Sequence, residues 1–273
     1  MGNLKLSENK LMKNLVSIIQ FQPALAAPEE NTRRIRPLLD QVKDSTLVVL
    51  PELANSGYNF RDFDQAYQLS EVIGSKGVFQ DFLLQEASAR GLYIVSGINE
   101  REGSKLFNSA ILVGPQGIIG KYRKMHLFMN EKDIFQEGDS GLQVFDLGYF
   151  KIGIMICFDY LFPEPWRILA QKGADLICHP SNLLTENAHR CLPGLSLMNR
   201  IYIATANRTG TEGDLAFNGN SVFTDPRGRI MKMASPGQTE IITAEIDTGL
   251  SRNKMITLRN HVFDDRRPGT YLP

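Results

Sequence analysis

The sequence predicts an α/β protein with mixed sheets. Three observations carry that expectation: short apolar runs rich in β-branched residues recur through the 273 residues, helical stretches separate several of them, and others follow one another with only a turn between. Strands separated by helices tend to pair parallel and strands joined by turns antiparallel, so both kinds of neighbour are expected. Runs apolar on both faces must also be covered on both sides.

LVSIIQF, from Leu15 to Phe21, is a short apolar run stopped by Pro23 and reads as a buried strand. A helix follows from about Glu29 to Val42, with Pro37 as a difficulty because an interior proline removes a backbone hydrogen bond. TLVVL, from Thr46 to Leu50, is the second strand, closed by Pro51 with Glu52 after it. A helix around Val78 to Arg90 precedes the strands LYIVSGI from Leu92 and FNSAILV from Phe107. The turn at Gly114, Pro115, Gln116 and Gly117 leads to IIGKYRKMHL, a strand running into a charged loop. KIGIMIC is the next strand, followed by a helix from about Pro163 to Lys172, the strand DLICHP from Asp175, a helix around Leu195 and the strand IYIATAN. The hairpin-like pieces SVFTDPRGRI and EIITAEID close the fold. One domain spanning 1–273 is expected, with a loose N-terminus at about 1–13 and a C-terminal arm at about 254–273, where periodicity fades.

Composition narrows the partner. Lys plus Arg, 30, equals Asp plus Glu, 30, so no overall field recruits nucleic acid or an anionic membrane. No stretch approaches about 18 uninterrupted apolar residues, and the first residues lack the apolar core of a secretory signal. Met1-Gly2 opens a myristoylation motif, but Leu6 stands where that motif needs Ser or Thr. The three cysteines, an odd number at spacings of 21 and 13, make no disulfide framework. A cytoplasmic protein acting on a small or neutral partner is the expectation.

Three strand ends each deliver one reactive side chain: Glu52 after TLVVLP, Lys124 in GKYRKMHL and Cys157 after KIGIMI. In open α/β sheets ligands bind outside the carboxyl ends of strands, so these residues can converge although remote in sequence. A cysteine attacks as thiolate, which a nearby ammonium favours, while an adjacent carboxylate can take its proton.

PELANSGY (51–58), GKYRKMHL (120–127) and GIMICFDYLFPE (153–164) together resemble the three signature blocks of the nitrilase, or carbon-nitrogen hydrolase, superfamily. HPSNL (179–183), ANRTG (206–210) and FNGNSVFTDPRG from Phe217 extend the likeness, in order, over about Asn14 to Tyr271. The resemblance implies a four-layer α-β-β-α sandwich with two mixed central sheets, and a homodimer in which C-terminal arms can cross. It implies that Glu52 is the general base, Lys124 steadies the oxyanion and Cys157 attacks the carbon of a C–N bond. Glu131, in NEKDIF, aligns with the second glutamate, which holds the lysine, although Gln136-Glu137 replaces a frequent Thr-Pro nearby. The Phe158 N–H, just past the nucleophile, is the second candidate oxyanion donor, and Tyr58, Phe128, Asn182 and Asn207 are candidate pocket residues. Met198 stands where the family often has a glutamate.

The implied reaction is thiol-dependent hydrolysis of a small non-peptide amide through a thioester, without metal or cofactor. Small nitriles are the first alternative, because KMHLFMNEKDIF also resembles short archaeal-type nitrilases. An N-carbamoyl hydrolase is another, although no arginine directly follows Cys157; a non-catalytic binding protein on the same fold is a third. Cys178, His179, His189 and Cys191 do not form a zinc site, since adjacent strand residues point to opposite faces.

Overall fold

The computed structural model describes residues 14–271, and the expected loose N-terminus lies outside them. The chain enters as β1 (Leu15–Gln20), α1 (Pro28–Gln41), β2 (Leu47–Val49), α2 (Phe63–Gln68) and α3 (Val78–Arg90). It continues as β3 (Tyr93–Glu102), β4 (Lys105–Gly114), β5 (Gly117–Arg123) and the short helix α4 (Glu131–Ile134). Next come β6 (Val144–Asp146), β7 (Lys151–Ile154), a 3-10 turn at Cys157–Leu161, α5 (Pro163–Gln171), β8 (Leu176–Ser181) and α6 (Asn187–Asn199). The order closes with β9 (Tyr202–Asn207), a ribbon of β10 (Thr209–Glu212) and β11 (Leu215–Asn218), then β12 (Val222–Thr224), β13 (Ile230–Met233), β14 (Glu240–Glu245) and α7 (Thr248–Arg252).

Two six-stranded sheets form the centre, ordered β14-β1-β2-β3-β4-β5 and β13-β12-β9-β8-β7-β6. β1, β2 and β3 pair parallel in one sheet and β7, β8 and β9 in the other, and the outer strands of both are antiparallel. The mixture follows from the connections: α1 and α5 carry parallel crossovers, whereas β3, β4 and β5 turn directly into one another.

Alternation along the strands builds the layers. Val16, Ile18, Leu47 and Val49 pack with Ile152, Leu176 and Ile203 of the other sheet. Their neighbours Ile19, Val48 and Leu50 pack instead with Ile35 and Leu39 of α1 and Phe79 and Leu83 of α3. On the second sheet, Trp166 and Leu169 of α5 and Leu192 and Leu195 of α6 join the core. The result is the expected four-layer α-β-β-α sandwich.

Two local readings resolve differently from their simplest form. α1 continues through Pro37, which is exposed, so the carbonyl it leaves unbonded one turn earlier can turn to water. SVFTDPRGRI does make a hairpin, β12 with β13, but β14 crosses to the first sheet and pairs with β1, Ile242 opposite Ile18. The short elements α2, α4, β6, β10, β11 and α7 span too few residues to show a period in sequence. Beyond α7 the chain turns back on α6, where Lys254 Nζ donates to the carbonyls of Asn199 and Arg200 at 3.3 and 2.8 Å, the helix end that favours a cation. No helix among the described residues is long and apolar enough to cross a membrane.

Candidate active site

β2 ends at Leu50-Pro51, and the chain then turns under β3. The Gly97 N–H donates to the Pro51 carbonyl at 3.0 Å and the Ala54 N–H to the Gly97 carbonyl at 3.2 Å. A Cβ on residue 97 would lie 2.4 Å from Glu52 Cα, so only glycine permits this approach. Glu52 is thereby held fully buried behind the strand end.

β5 delivers the cation, and strand geometry sorts the basic cluster. Tyr122 and Lys124 share one side, Lys121 and Arg123 the other. Tyr122 joins the core between the sheets, while Lys121 and Arg123 both pair with buried Glu100. Lys124 is left pointing inward, 1% exposed, with its Nζ 2.7 Å from Glu52 Oε1 and 2.7 Å from Glu131 Oε1.

Other donors fix the two carboxylates. Asn108 Nδ2 donates to Glu52 Oε1 at 2.7 Å, the Tyr58 hydroxyl to Glu131 Oε1 at 2.7 Å, and the Phe128 N–H to Glu131 Oε2 at 3.2 Å. The Tyr58 loop is itself held, because Glu212 Oε2 accepts the N–H groups of Tyr58 and Asn59 at 2.9 and 2.7 Å while pairing with buried Arg208. Glu52 Oε2 has no hydrogen-bond partner among the described residues, so one oxygen of this acid remains free to accept a proton.

Cys157 follows β7 and opens the 3-10 turn with φ +42°, a left-handed conformation that a non-glycine residue keeps only where its surroundings hold it. One restraint is buried His179. A carbonyl only accepts, so His179 Nε2 carries the proton and donates to the Cys157 carbonyl at 2.9 Å, leaving Nδ1 facing the Thr205 hydroxyl at 3.0 Å. Burial depresses the imidazole to about 4, which keeps that ring neutral. The Phe158 N–H, near the start of the turn, has no acceptor within it. The Asn182 N–H is directed at the sulfur, and both polar atoms of the Asn182 side chain are buried without partners among the described residues.

Charge and burial act together at this cluster. Burial works against the Lys124 ammonium, but the attraction of Glu131, Glu52 and the sulfur outweighs it and lifts the lysine above its usual value. Burial raises Glu131, with Lys124 opposing and Glu52 adding to the rise. The Cys157 thiol is pushed well up by burial and by Glu52, against the pull of Lys124. Glu52 and Lys124 thus act on the sulfur in opposite directions, with burial favouring the neutral thiol.

Cys157 opens into a cavity of about 450 Å³ whose wall includes Phe128, Phe158, Tyr160, Asn182, Cys191 and Arg190. A smaller hollow of about 230 Å³ lies on the side of Tyr58 and Glu131. The structure thus brings Glu52, Lys124, Glu131, Tyr58, Phe128, Phe158 and Asn182 around Cys157. Asn207, expected at the pocket, stands behind its wall instead. Its side chain is spent on the Leu183 N–H at 2.8 Å, Asn218 Oδ1 at 2.7 Å and the Gly219 carbonyl at 2.5 Å, which shapes the loop carrying Asn182. Asn108 and His179 were not singled out for the site in sequence. Asn108 looks like any polar residue in a strand, and only its partner marks it.

Known proteins resemble the chain in sequence and in fold. The sequence profile described as carbon-nitrogen hydrolase matches residues 15–254. A nitrilase from Pyrococcus abyssi is 44% identical over 94% of this chain and 98% of its own length. A 2-oxoglutaramate amidase from Bacillus subtilis is 31% identical, over 95% of this chain and 100% of its own. Among solved structures, Nit3 of Saccharomyces cerevisiae superposes with a TM-score of 0.79 at 30% identity, covering 88% of this chain and 92% of that one. An amidase from Nesterenkonia shares the fold with a TM-score of 0.79 at 22% identity, over 94% of this chain and 95% of its own. With the profile spanning most of its length, this chain belongs to the carbon-nitrogen hydrolase family and is an enzyme of that family.

Proposed function

We propose that the enzyme hydrolyses the C–N bond of a small non-peptide amide to a carboxylic acid and ammonia or an amine, with Cys157 as nucleophile. One observation carries the reading: a buried ammonium bonded at 2.7 Å to two buried carboxylates, beside a cysteine held at φ +42° on the wall of a cavity. Glu52 takes the thiol proton as sulfur bonds to the amide carbon, and the carbonyl electrons move onto oxygen. Lys124 and the Phe158 N–H receive that oxyanion, each donor contributing about 3 to 4 kcal/mol. Glu52 then protonates the leaving nitrogen as the C–N bond breaks and a thioester remains. Water, deprotonated by Glu52, cleaves the thioester and restores the thiol. Glu131 stays charge-paired with Lys124 throughout and aims it.

The second reading, hydrolysis of small nitriles, is favoured by the 44% identity to the Pyrococcus nitrilase. Sulfur would add to the nitrile carbon to give a thioimidate, and water would then release ammonia and the same thioester. Ammonia release from matched amides and nitriles of one carbon skeleton, with Cys157→Ala as control, separates the readings. Turnover of the amide alone supports the first, turnover of the nitrile alone the second, and activity in Cys157→Ala refutes both. The same reading pairs two chains, supported by the exposed Ile168 of α5 and Leu197 and Met198 of α6 on neighbouring helices, and places the enzyme in a reducing cytoplasm that suits three free cysteines. Analytical ultracentrifugation tests the dimer.

A further inference from the structure

Lys124 and Cys157 come from strands in different sheets, yet their chain segments meet at one buried carboxylate. Asp159 is fully buried and its side chain collects four donors. Its Oδ2 accepts the Ile156 N–H at 2.9 Å and the Tyr122 hydroxyl at 2.8 Å. Its Oδ1 accepts the His126 N–H at 3.2 Å and lies 2.7 Å from His126 Nδ1, which must carry a proton there because a carboxylate only accepts. The backbone carbonyl of Asp159 takes the Trp166 indole N–H at 2.9 Å, tying the turn to α5.

The chain positions of these donors give the carboxylate its meaning. Ile156 immediately precedes Cys157 and Asp159 lies two residues beyond it, while Tyr122 and His126 flank Lys124 two residues to either side. A residue that merely capped the 3-10 turn would need the Ile156 bond alone. The other three side-chain bonds all go to the segment that carries the lysine. His126 is braced in turn by stacking on Phe162, at 3.7 Å between ring centres.

We propose that Asp159 is a positioning residue that joins the nucleophile's turn to the lysine's segment as one rigid body, and so sets the reach between Cys157 and Lys124. The inference rests on Cys157 as the nucleophile. An asparagine there has one acceptor oxygen in place of two and turns an amide N–H₂ toward groups that also donate. The two segments would then relax apart, and the ammonium would lose part of its hold on the thiolate and on the oxyanion.

The experiment compares Asp159→Asn and Tyr122→Phe with the full-length enzyme, reading kcat, KM and the rate of iodoacetamide labelling at each cysteine by peptide mass spectrometry. For Asp159→Asn, kcat should fall by about 100-fold, as for a displacement of order 1 Å, with KM changed by less than about threefold. Labelling at Cys157 should slow as well, and labelling at buried Cys178 should not change. Tyr122→Phe keeps the ring but removes the hydroxyl that donates to Asp159 at 2.8 Å and accepts the Met125 N–H at 3.3 Å, and its kcat and Cys157 labelling should each fall by about fivefold. A role confined to stability would lower the unfolding midpoint but leave the folded enzyme's kcat and labelling rate untouched. The proposal is overturned if either variant folds with kcat and Cys157 labelling within about twofold of the parent, or loses activity only through KM. Should Asp159→Asn not fold, Tyr122→Phe decides alone. Failure of the nucleophile assignment is distinct: Cys157→Ala would stay active, and the parent's Cys157 would label no faster than Cys178.

Discussion

Replacing Lys124 with methionine tests the charge logic of the site. The change keeps most of the stem and deletes an ammonium bonded at 2.7 Å to both Glu52 and Glu131, which are 0% and 4% exposed. Removing one partner of a buried pair costs about 3–5 kcal/mol, because the remaining charge loses its compensation without regaining water. Here two acids lose the same cation. Glu131 is already raised above its ordinary 4.5 by burial while Lys124 opposes the rise, so without the lysine it must climb further. A carboxyl raised in the folded state binds its proton more tightly there than in the unfolded chain. Its contribution is therefore fully present below the unfolded value of 4.5 and is lost as pH rises through the folded one. Lys124→Met should consequently cost about 3–5 kcal/mol near pH 8 and distinctly less near pH 5. Urea unfolding at both pH values, followed by circular dichroism, measures the difference. In the proposed mechanism the substitution also removes an oxyanion donor, so kcat should fall by about 10²–10³. An equal loss of stability at the two pH values, or a folded variant within about tenfold of parental kcat, would refute the reasoning.

Other substitutions probe the supports. Gly97→Ala puts a methyl 2.4 Å from Glu52 Cα, so the unfolding free energy should drop by at least about 1–3 kcal/mol and kcat should fall as Glu52 is displaced; an unchanged urea midpoint would contradict the close approach. Asn182→Leu removes two buried polar atoms that lack partners, so stability should be equal or higher while kcat/KM falls by more than about tenfold; retained kcat/KM would show that the side chain does not face substrate. Asn108→Ala leaves Glu52 Oε1 with Lys124 as its remaining bond, costing about 1–3 kcal/mol and lowering kcat more than it changes KM, as steady-state kinetics and thermal unfolding would report.

Much of the frame was legible because it depends on local chemistry. Alternating Val16, Ile18, Leu47 and Val49 mark strands with an inner face, and Pro51 and Cys157 stand just beyond strand ends. The positions that sequence could not rank are those whose meaning is a partner far along the chain. Lys121, Arg123 and Lys124 are chemically alike as a cluster, so in sequence only the family register points to Lys124, and the physical distinction comes from Glu100 on one face and Glu52 and Glu131 on the other. Asn207 shared the signal of Asn182, a polar residue near a strand end, yet Asn218 and Gly219 take both its amide hydrogens and the Leu183 N–H binds its oxygen, which turns it away from a ligand.

Sequence alone determined the α/β class and the family likeness whose register points to Glu52, Lys124 and Cys157, because strand periodicity and short motifs are written in neighbouring residues. Tertiary structure alone decided that β14 crosses to pair with β1, that Asn108 bonds Glu52, and that Asp159 bonds both the residue before Cys157 and the segment around Lys124. Those facts rest on hydrogen bonds and burial between residues tens to hundreds of positions apart. Such contacts exist only once the sheets have packed and water has left the space between them.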